Sequence, residues 1–277
     1  MGNRDNGVRQ VVGASLGDAA GHVTVSGAYA RVREALSRHD VLEPDIEAEV
    51  LVRQALGFDR AQYFAELDVR VPVDRTGDLD ALLARRLGGE PLAYVIGKRE
   101  FFGLEFVVTP DVLVPRQETE LLVELALEFL SRSDRFGAGS PAVMADVGTG
   151  SGAIAVSVAA NFANVKIYAS EISASALSIA EANAKTHGVA ASVEYVNGDL
   201  MEAVPGKIDL IVANPPYVPS LLLDGLSREI GHEPRIALDG GPDGLELYRR
   251  LLLQARGRIP HNGALLVELM PEQMDEA

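Results

Sequence analysis

The stretch Asp209–Tyr217, with the sequence DLIVANPPY, carries the clearest structural signal in the chain. Leu210–Ala213 is a short apolar run of the kind that forms a strand buried on both faces of a sheet. Pro215 and Pro216 lack an N–H group and fix φ, so the strand has to end there, and residues before a proline are held in extended geometry. The stretch therefore predicts a buried strand whose carboxyl end carries Asn214 and free backbone carbonyls.

This strand end offers hydrogen-bond acceptors to a planar NH2 group. The side-chain oxygen of Asn214 and the carbonyl of Pro215 are two acceptors, whereas the NH2 group of an amide, an adenine or a cytosine carries two donors. Tyr217, just after Pro216, is expected to lie against the flat face of such a group. Ligands of open α/β sheets bind outside the carboxyl ends of strands. We call residues 214–217 the tetrad; on its own it also fits a strand-ending turn without chemistry.

Composition limits the classes of protein and of site. A hydrophobic fraction of 47% and a charged fraction of 23% over 277 residues suit a globular protein with one large or two smaller domains. There is no cysteine, which excludes disulfides and thiolate metal sites. No apolar run is long enough for a membrane span. Met1–Gly21 lacks the apolar core of a signal peptide, so we interpret residues 1–23 as a mobile tail and expect a cytoplasmic protein.

The net charge of −15 favours a protein or small-molecule partner over direct contact with nucleic acid. A local basic groove within an acidic protein, and acidity that serves only solubility, stay open as alternatives. The five histidines are scattered along the sequence and predict no metal site.

The first part of the chain, residues 24–97, has helical periodicity and predicts a small bundle of four amphipathic helices. The first helix is indicated by the helical spacing of Ala30, Val32, Ala35 and Leu36. Pro44 begins a second that Gly57 ends, and Arg60–Leu67 and Leu79–Leu87 form two more. The charged side chains of this bundle are most simply a solvated face, and a substrate-recognition module is the alternative. Residues 98–114, with aromatic residues around Gly103, predict a β-hairpin linker.

Residues 115–277 predict a doubly wound, Rossmann-like α/β domain, because strands and helices alternate as in parallel βαβ units. A loop at Gly137–Pro141 precedes the first strand. The predicted strands are Val143–Asp146, Lys166–Ser170, Ser192–Val196, Ile208–Ala213 and Ala264–Leu269, and the predicted helices are Leu121–Leu130, Ala153–Ala160, Ala174–His187 and Leu245–Ala255.

Several polar motifs follow the predicted strands. Gly148, Gly150 and Gly152, with Thr149 and Ser151 between them, form a glycine turn that allows close approach of a ligand to a helix N-terminus. Glu171 ends the next strand, where an acid takes ribose hydroxyls. Asp199 and Leu200 follow the third strand, where a carboxylate and an apolar wall suit an adenine.

The ligand that binds at these strand ends is predicted to be S-adenosyl-L-methionine. The spacing is GxGxG, so the third glycine of the dinucleotide fingerprint is missing. Asp146, just upstream, would repel a diphosphate but suits an ammonium or a sulfonium. Adenosine with a cationic tail therefore fits best. Each polar residue alone is also explained as a strand-end cap.

The sequence resembles the HemK-type protein-(glutamine-N5) methyltransferases, which act on peptide-chain release factors. The resemblance covers about Glu90–Gln273 and is carried by the tetrad, by Phe101, Phe102 and Gly103, by Pro115–Glu120, and by Glu233–Gly241 with the residues that follow. It implies an S-adenosylmethionine-dependent methyltransferase fold with a helical N-terminal domain that recruits the release factor.

The resemblance also implies roles for individual residues. The glycine turn lines S-adenosylmethionine, Glu171 takes the ribose, and Asp199 with Leu200 lies by the adenine. Asn214, Pro215, Pro216 and Tyr217 hold the substrate glutamine of a Gly-Gly-Gln loop, and Arg116 is a further candidate substrate-binding residue. The Arg116–Glu120 segment is more similar to the release-factor branch than to a sister group that methylates a ribosomal protein.

The sequence departs from the family pattern at four places. Gln117 stands where a proline is usual, Glu171 where an aspartate is commoner, and Leu269–Pro271 where a small turn with glycine is usual. The family's C-terminal hairpin does not follow the last strand within residues 115–277.

Two other functions stay open at this stage. A nucleic-acid amino-methyltransferase that acts on adenine N6 or cytosine N4 would use the same tetrad after base flipping, although the acidic charge disfavours it. A binding protein that kept the fold and lost turnover is the second, suggested by the early end after the last strand.

Overall fold

The structure is a computed structural model that describes residues 23–132 and 141–276. The chain divides into two compact units, one that ends at Ile96 and one that begins at Gly97. The predicted mobile tail, residues 1–23, lies outside the described residues except for Val23, and so does most of the predicted loop Gly137–Pro141.

The first unit contains five helices in its described residues. They are α1 (Val25–Ser37), α2 (Pro44–Leu56), α3 (Arg60–Ala65), α4 (Val73–Leu87) and α5 (Leu92–Ile96). Leu36, Leu51 and Leu79 are fully buried in its core. As predicted, Pro44 occupies the first turn of α2 and Gly57 ends it in the left-handed region at φ +68°.

Helix α3 ends at Ala65 and not at Leu67, and two other helices of this unit differ more from the sequence prediction. Helix α4 begins at Val73 and not at Leu79, and α5 was not predicted. Gly77 within α4 costs about 1 kcal/mol relative to alanine, which weakens the local signal, but Asp74 lies in the first turn, where a negative charge favours a helix that begins at Val73. Helix α5 has only 5 residues, too few for a helical period to be recognised.

A buried ion pair joins α4 to α2. The side chain of Arg86 is 4% exposed, and its guanidinium donates to both carboxylate oxygens of Glu47, with an Nη2–Oε1 distance of 2.9 Å. Such a fork-to-fork pair is geometrically specific. Removal of either Arg86 or Glu47 is expected to destabilise this unit, because the charge of the other residue would remain buried without this partner.

The second unit begins with a β-hairpin made of β1 (Lys98–Phe101) and β2 (Leu104–Val107). Phe102 and Gly103 form its two-residue turn at φ +51° and +72°, the sign that hairpin turns with matching twist require. The rings of Phe101 and Phe106 are buried and meet edge to face, with centroids 6.1 Å apart. Both belong to the core of the second unit, so the segment predicted as a linker packs with the sheet domain.

The rest of the second unit is a five-stranded parallel sheet with the order β5-β4-β3-β6-β7. Its strands are β3 (Ala142–Val147), β4 (Val165–Glu171), β5 (Val193–Asn197), β6 (Leu210–Ala213) and β7 (Ala264–Val267). The helices are α6 (Glu120–Arg132), α7 (Ala153–Asn161), α8 (Ala174–Thr186) and α9 (Glu246–Ala255). The chain turns back at β3 to place β6 on its other side, which is the switch point of a doubly wound sheet.

Two predicted strand limits are wrong by two residues. Strand β6 begins at Leu210 and not at Ile208, because Asp209 turns its carboxylate to the amide of Val143, 3.0 Å away, at the entrance of the sheet. Strand β7 ends at Val267 and not at Leu269, which leaves Glu268 at the carboxyl edge.

The Arg86–Glu47 pair generates a stability prediction. Glu47→Leu should lower the free energy of unfolding by about 3–5 kcal/mol, because it leaves the guanidinium of Arg86 buried without its carboxylate. Glu47→Leu combined with Arg86→Leu should regain most of that loss. Urea unfolding followed by far-ultraviolet circular dichroism measures both variants, and equal instability of the single and double variants would contradict the assignment.

Candidate active site

Strand ends meet at one edge of the sheet because of the register of β3 with its two neighbours. Val147, the last residue of β3, pairs with Ala213 of β6 and with Ser170 of β4. The glycine turn follows Val147, the tetrad follows Ala213, and Glu171 follows Ser170. The sequence-predicted motifs therefore start side by side at the switch point.

The glycine turn has a backbone that side chains would strain. Gly148, Gly150 and Gly152 lie at φ +74°, +55° and +81°. The amide of Gly148 donates to the carbonyl of Ser170 at 2.8 Å, which ties the turn to β4. A Cβ atom on Gly152 would lie 3.1 Å from the Cα of Ala180 in α8. Close helix packing as well as turn geometry therefore requires glycine at this position.

Asn183 of α8 joins the glycine turn to the hairpin. Its buried amide nitrogen donates to the carbonyls of Ser151, at 2.9 Å, and of Val107, at 3.0 Å. Its oxygen accepts from the amide of Val107 at 2.8 Å. One side chain thus satisfies backbone groups of β2 and of the turn together.

Asp146 lies beneath the glycine turn and not on a cavity wall. Its side chain is only 1% exposed, and Oδ2 accepts from Thr149 Oγ1 at 2.6 Å and from the amide of Ala155 at 3.1 Å. Oδ1 is buried and has no hydrogen-bond partner among the described residues. Burial raises the pKa of Asp146 to about 6, against the lowering effect of both donors. An unpaired carboxylate oxygen below the turn is compatible with the predicted cationic ligand.

Glu171 reaches the glycine turn with its carboxylate. Oε2 accepts from the amide of Gly150 at 3.0 Å, and Oε1 accepts from the amides of Ile172 and Ser173 at 2.9 and 3.1 Å. Because a carboxylate has about four acceptor positions, one remains for a ligand hydroxyl.

Asp199 and Leu200 follow β5 and line the ligand cavity. The guanidinium of Arg250, from α9, donates to Asp199 Oδ2. Leu200 is held at φ +52°, and its carbonyl accepts from the hydroxyl of Ser170. Arg250 is a site residue that sequence reasoning missed, because its partner lies 51 positions away in the chain.

The tetrad is divided between the cavity wall and the protein interior. Asn214 and Pro216 line the cavity, whereas Pro215 is buried. The Tyr217 hydroxyl donates to Glu268 Oε1 at 3.3 Å, and burial raises the pKa of Tyr217. The amide nitrogen of Asn214 donates to Thr119 Oγ1 at 3.0 Å. Among the described residues, Asn214 Oδ1 accepts no hydrogen bond.

Thr119 and Glu268 are two further site residues that the sequence did not single out. The hydroxyl of Thr119 donates to Glu268 Oε2 at 2.7 Å. Thr119 was included only as part of the Pro115–Glu120 segment, and Glu268 was placed inside a strand. Pairing of Ala213 with Val267 sets Glu268 beside Asn214, so a correct strand end would have revealed it.

Arg116 is held at the cavity wall by Glu233. The side chain of Glu233 is buried, accepts from the guanidinium of Arg116, and also accepts from the amide of Val114 at 3.1 Å. The predicted substrate-side arginine is therefore fixed to the segment that follows the tetrad.

One cavity of about 720 Å³ connects these groups, a volume within the ~300–1,000 Å³ range of small-molecule sites. The residues on its wall include the sequence-predicted Arg116, Gly148, Thr149, Gly150, Ser151, Glu171, Asp199, Leu200, Asn214 and Pro216. The other four sequence-predicted residues, Asp146, Gly152, Pro215 and Tyr217, adjoin the wall in sequence or through hydrogen bonds. Within residues 23–132 and 141–276, no group of three His, Asp or Glu side chains is arranged to hold a metal ion.

Comparison with known proteins gives the family. The model of the PrmC N-terminal domain matches residues 28–97, and the model of the methyltransferase small domain matches residues 125–225. A release factor glutamine methyltransferase from Moorella thermoacetica is 41% identical over 252 residues, which cover 91% of this chain and 87% of that protein. The chain belongs to the release factor glutamine methyltransferase family. A Bordetella pertussis relative of the same name is 42% identical and covers 84% of both chains.

This membership confirms the predicted resemblance, the enzyme class and the fold class. The family consists of S-adenosylmethionine-dependent methyltransferases, so the predicted cofactor is confirmed as well. The roles of individual site residues stay predictions. None of the helices in the described part of the chain has both the length and the apolar character needed to cross a bilayer.

Gly152→Ala should weaken binding of S-adenosylmethionine by at least about tenfold and lower the melting temperature, because the new Cβ meets Ala180 and strains the turn. Gly188→Ala is the matched control, since Gly188 has a similar φ of +71° with open space around it. It should lower stability without changing affinity. Calorimetric titration measures binding, and unchanged affinity in Gly152→Ala would count against the turn as a ligand site.

The raised pKa of Asp146 predicts a pH dependence of stability. The folded protein binds more protons than the unfolded chain between the ordinary aspartate pKa of 3.8 and the raised pKa of about 6. Wild-type stability should therefore fall, relative to Asp146→Asn, as pH rises through this window, by on the order of 3 kcal/mol in total. Urea denaturation of both proteins at pH 4 to 7 is the measurement; parallel curves would contradict the burial effect.

Proposed function

We propose that this chain transfers the methyl group of S-adenosylmethionine to the side-chain amide nitrogen, N5, of the glutamine in the Gly-Gly-Gln loop of a class 1 peptide-chain release factor. The observation that carries the proposal is the shared cavity of the glycine turn and Asn214. It is supported by membership of the family and by the names of the relatives.

The residues around the cavity fit the cofactor. S-adenosylmethionine, when bound, supplies an electrophilic methyl group on a sulfonium centre. The glycine turn offers close backbone approach, Glu171 keeps an acceptor position for a ribose hydroxyl, and Asp199 with Leu200 provides the adenine side. Asp146 adds negative charge below the turn, which favours a cation.

The substrate glutamine is held by its NH2 group. Asn214 Oδ1 accepts one N–H, and the carbonyl of Pro215 is the proposed second acceptor. Tyr217 is proposed to lie with its ring against the plane of the substrate amide, and its hydroxyl donates to Glu268. An amide nitrogen is a poor nucleophile because its lone pair is delocalised, so positioning is the enzyme's main contribution. The surplus amide proton leaves to water.

The release factor is the proposed protein partner. Arg116, which pairs with Glu233, is proposed to contact the substrate loop. The first unit is proposed to recruit the release factor because its residues match the PrmC N-terminal domain. Direct binding of nucleic acid is not part of the proposal. The proposed location of this protein is the cytoplasm, where release factors act.

Asn214→Ala should lower kcat for methylation of a release factor by about a hundredfold or more, because a lost oxyanion-hole type interaction costs about 3–4 kcal/mol. Cofactor affinity should change less. Asn161→Ala is the control, since this asparagine only donates to the carbonyl of Ser157 in α7, and it should keep wild-type turnover.

Mass spectrometry of a purified release factor after incubation with the enzyme and S-adenosylmethionine is the measurement. One added methyl group on the loop glutamine is the expected result. Methylation of a large-subunit ribosomal protein or of a DNA or RNA oligomer in its place would reject the release-factor assignment.

A further inference from the structure

A short chain of hydrogen bonds begins at the cavity wall, where β6 and β7 end beside the start of α6, and Asn214 and Thr119 both line the cavity. It runs from Asn214 Nδ2 to Thr119 Oγ1, 3.0 Å, and from Thr119 Oγ1 to Glu268 Oε2, 2.7 Å. The Tyr217 hydroxyl donates to the other carboxylate oxygen at 3.3 Å. Thr119 is buried, and burial raises the pKa of Glu268 while its donors lower it.

Proton counting gives this chain a direction. An ionised carboxylate only accepts, so the single proton of the Thr119 hydroxyl goes to Glu268. The Thr119 oxygen can then meet Asn214 only as an acceptor. Asn214 must therefore turn its NH2 group to Thr119, and its Oδ1 is left for another donor.

An amide side chain has two orientations that differ by a half-turn and fill nearly the same volume. In the other orientation, Asn214 would direct an NH2 group at the NH2 group of the substrate, and two donors cannot pair. Substrate recognition by Asn214 therefore depends on which orientation the neighbouring groups select.

We infer that Thr119 and Glu268 are positioning residues that hold the Asn214 amide with Oδ1 directed to the substrate NH2 group. This inference rests on the proposed function, because it concerns the acceptor of that same site. Neither residue is required to touch the reacting atoms. Tyr217 serves the same network by donating to Glu268.

Thr119→Val and Thr119→Ser form the matched pair that tests the network. Valine has a similar shape but no hydroxyl, so kcat on saturating release factor should fall by about tenfold or more, with the dissociation constant for S-adenosylmethionine changed by less than about twofold. Serine keeps the hydroxyl and should restore most of the lost kcat. Equal kcat for wild type and Thr119→Val would overturn the inference.

A double-mutant cycle separates positioning from a merely structural role. If Thr119 acts through Asn214, Thr119→Val should lower kcat much less in an Asn214→Ala background than in the wild type. Additive losses would overturn the inference. Should Thr119→Val fail to fold, Glu268→Gln replaces it in the same cycle, since the glutamine NH2 group competes for the hydroxyl and removes the fixed direction.

A spectroscopic readout needs no activity. The side-chain NH2 protons of Asn214 should show a nuclear Overhauser effect to the methyl group of Thr119 in wild type, and this effect should weaken in Glu268→Gln. Its absence in wild type would overturn the inference whatever the enzyme methylates. Wild-type enzyme that shows this contact but leaves a release factor unmethylated would reject the proposed function alone.

Discussion

The pairing of Val147 with Ala213, across the switch point between β3 and β6, determines the distance between the two halves of the site. The glycine turn and the tetrad leave the sheet one residue after this pair. In a parallel sheet, a slip by one residue would turn every side chain of β6 to the other face. The buried run Leu210–Ala213 makes such a slip costly, because both faces of β6 are covered. The register of β3 with β6 therefore sets the spacing between the glycine turn and the tetrad.

Buried carboxylates hold the loops that surround this register. Asp209 fixes the entrance of β6 to β3, Glu233 fixes the Arg116 segment, and Asp146 fixes the start of α7 under the glycine turn. Each accepts from at least one backbone amide, which offsets the cost of burying a charge. Asp146 is offset least, as its unpaired oxygen and raised pKa indicate. The uncompensated cost of burying a charge is thus largest next to the predicted cofactor site, where a ligand of opposite charge can reduce it.

Much of the fold could be predicted from the sequence, because the strands of the sheet are short apolar runs that end at glycine, proline or acidic residues. The candidate site could be predicted where it follows those ends, as at Glu171, Asp199 and Asn214. Arg250 could not, since nothing local to α9 indicates a partner 51 positions away. Glu268 was missed because the apolar run Ala264–Val267 resumes at Leu269, so the predicted strand included Glu268. The contact of the Tyr217 ring with the substrate stays a prediction, whereas the hydrogen bond of its hydroxyl to Glu268, 51 positions away, could not be predicted.

Asn183 gives the hairpin a meaning that its position in the chain does not suggest. Its amide completes an extra backbone pairing with Val107 and at the same time anchors the carbonyl of Ser151. The hairpin and the glycine turn are therefore held together by one side chain, although 44 positions separate Val107 from Ser151 in the sequence. A hairpin exchanged from a homologue would have to present a backbone N–H and C=O to Asn183 where Val107 does. A chimaeric design should therefore transfer the hairpin together with this asparagine.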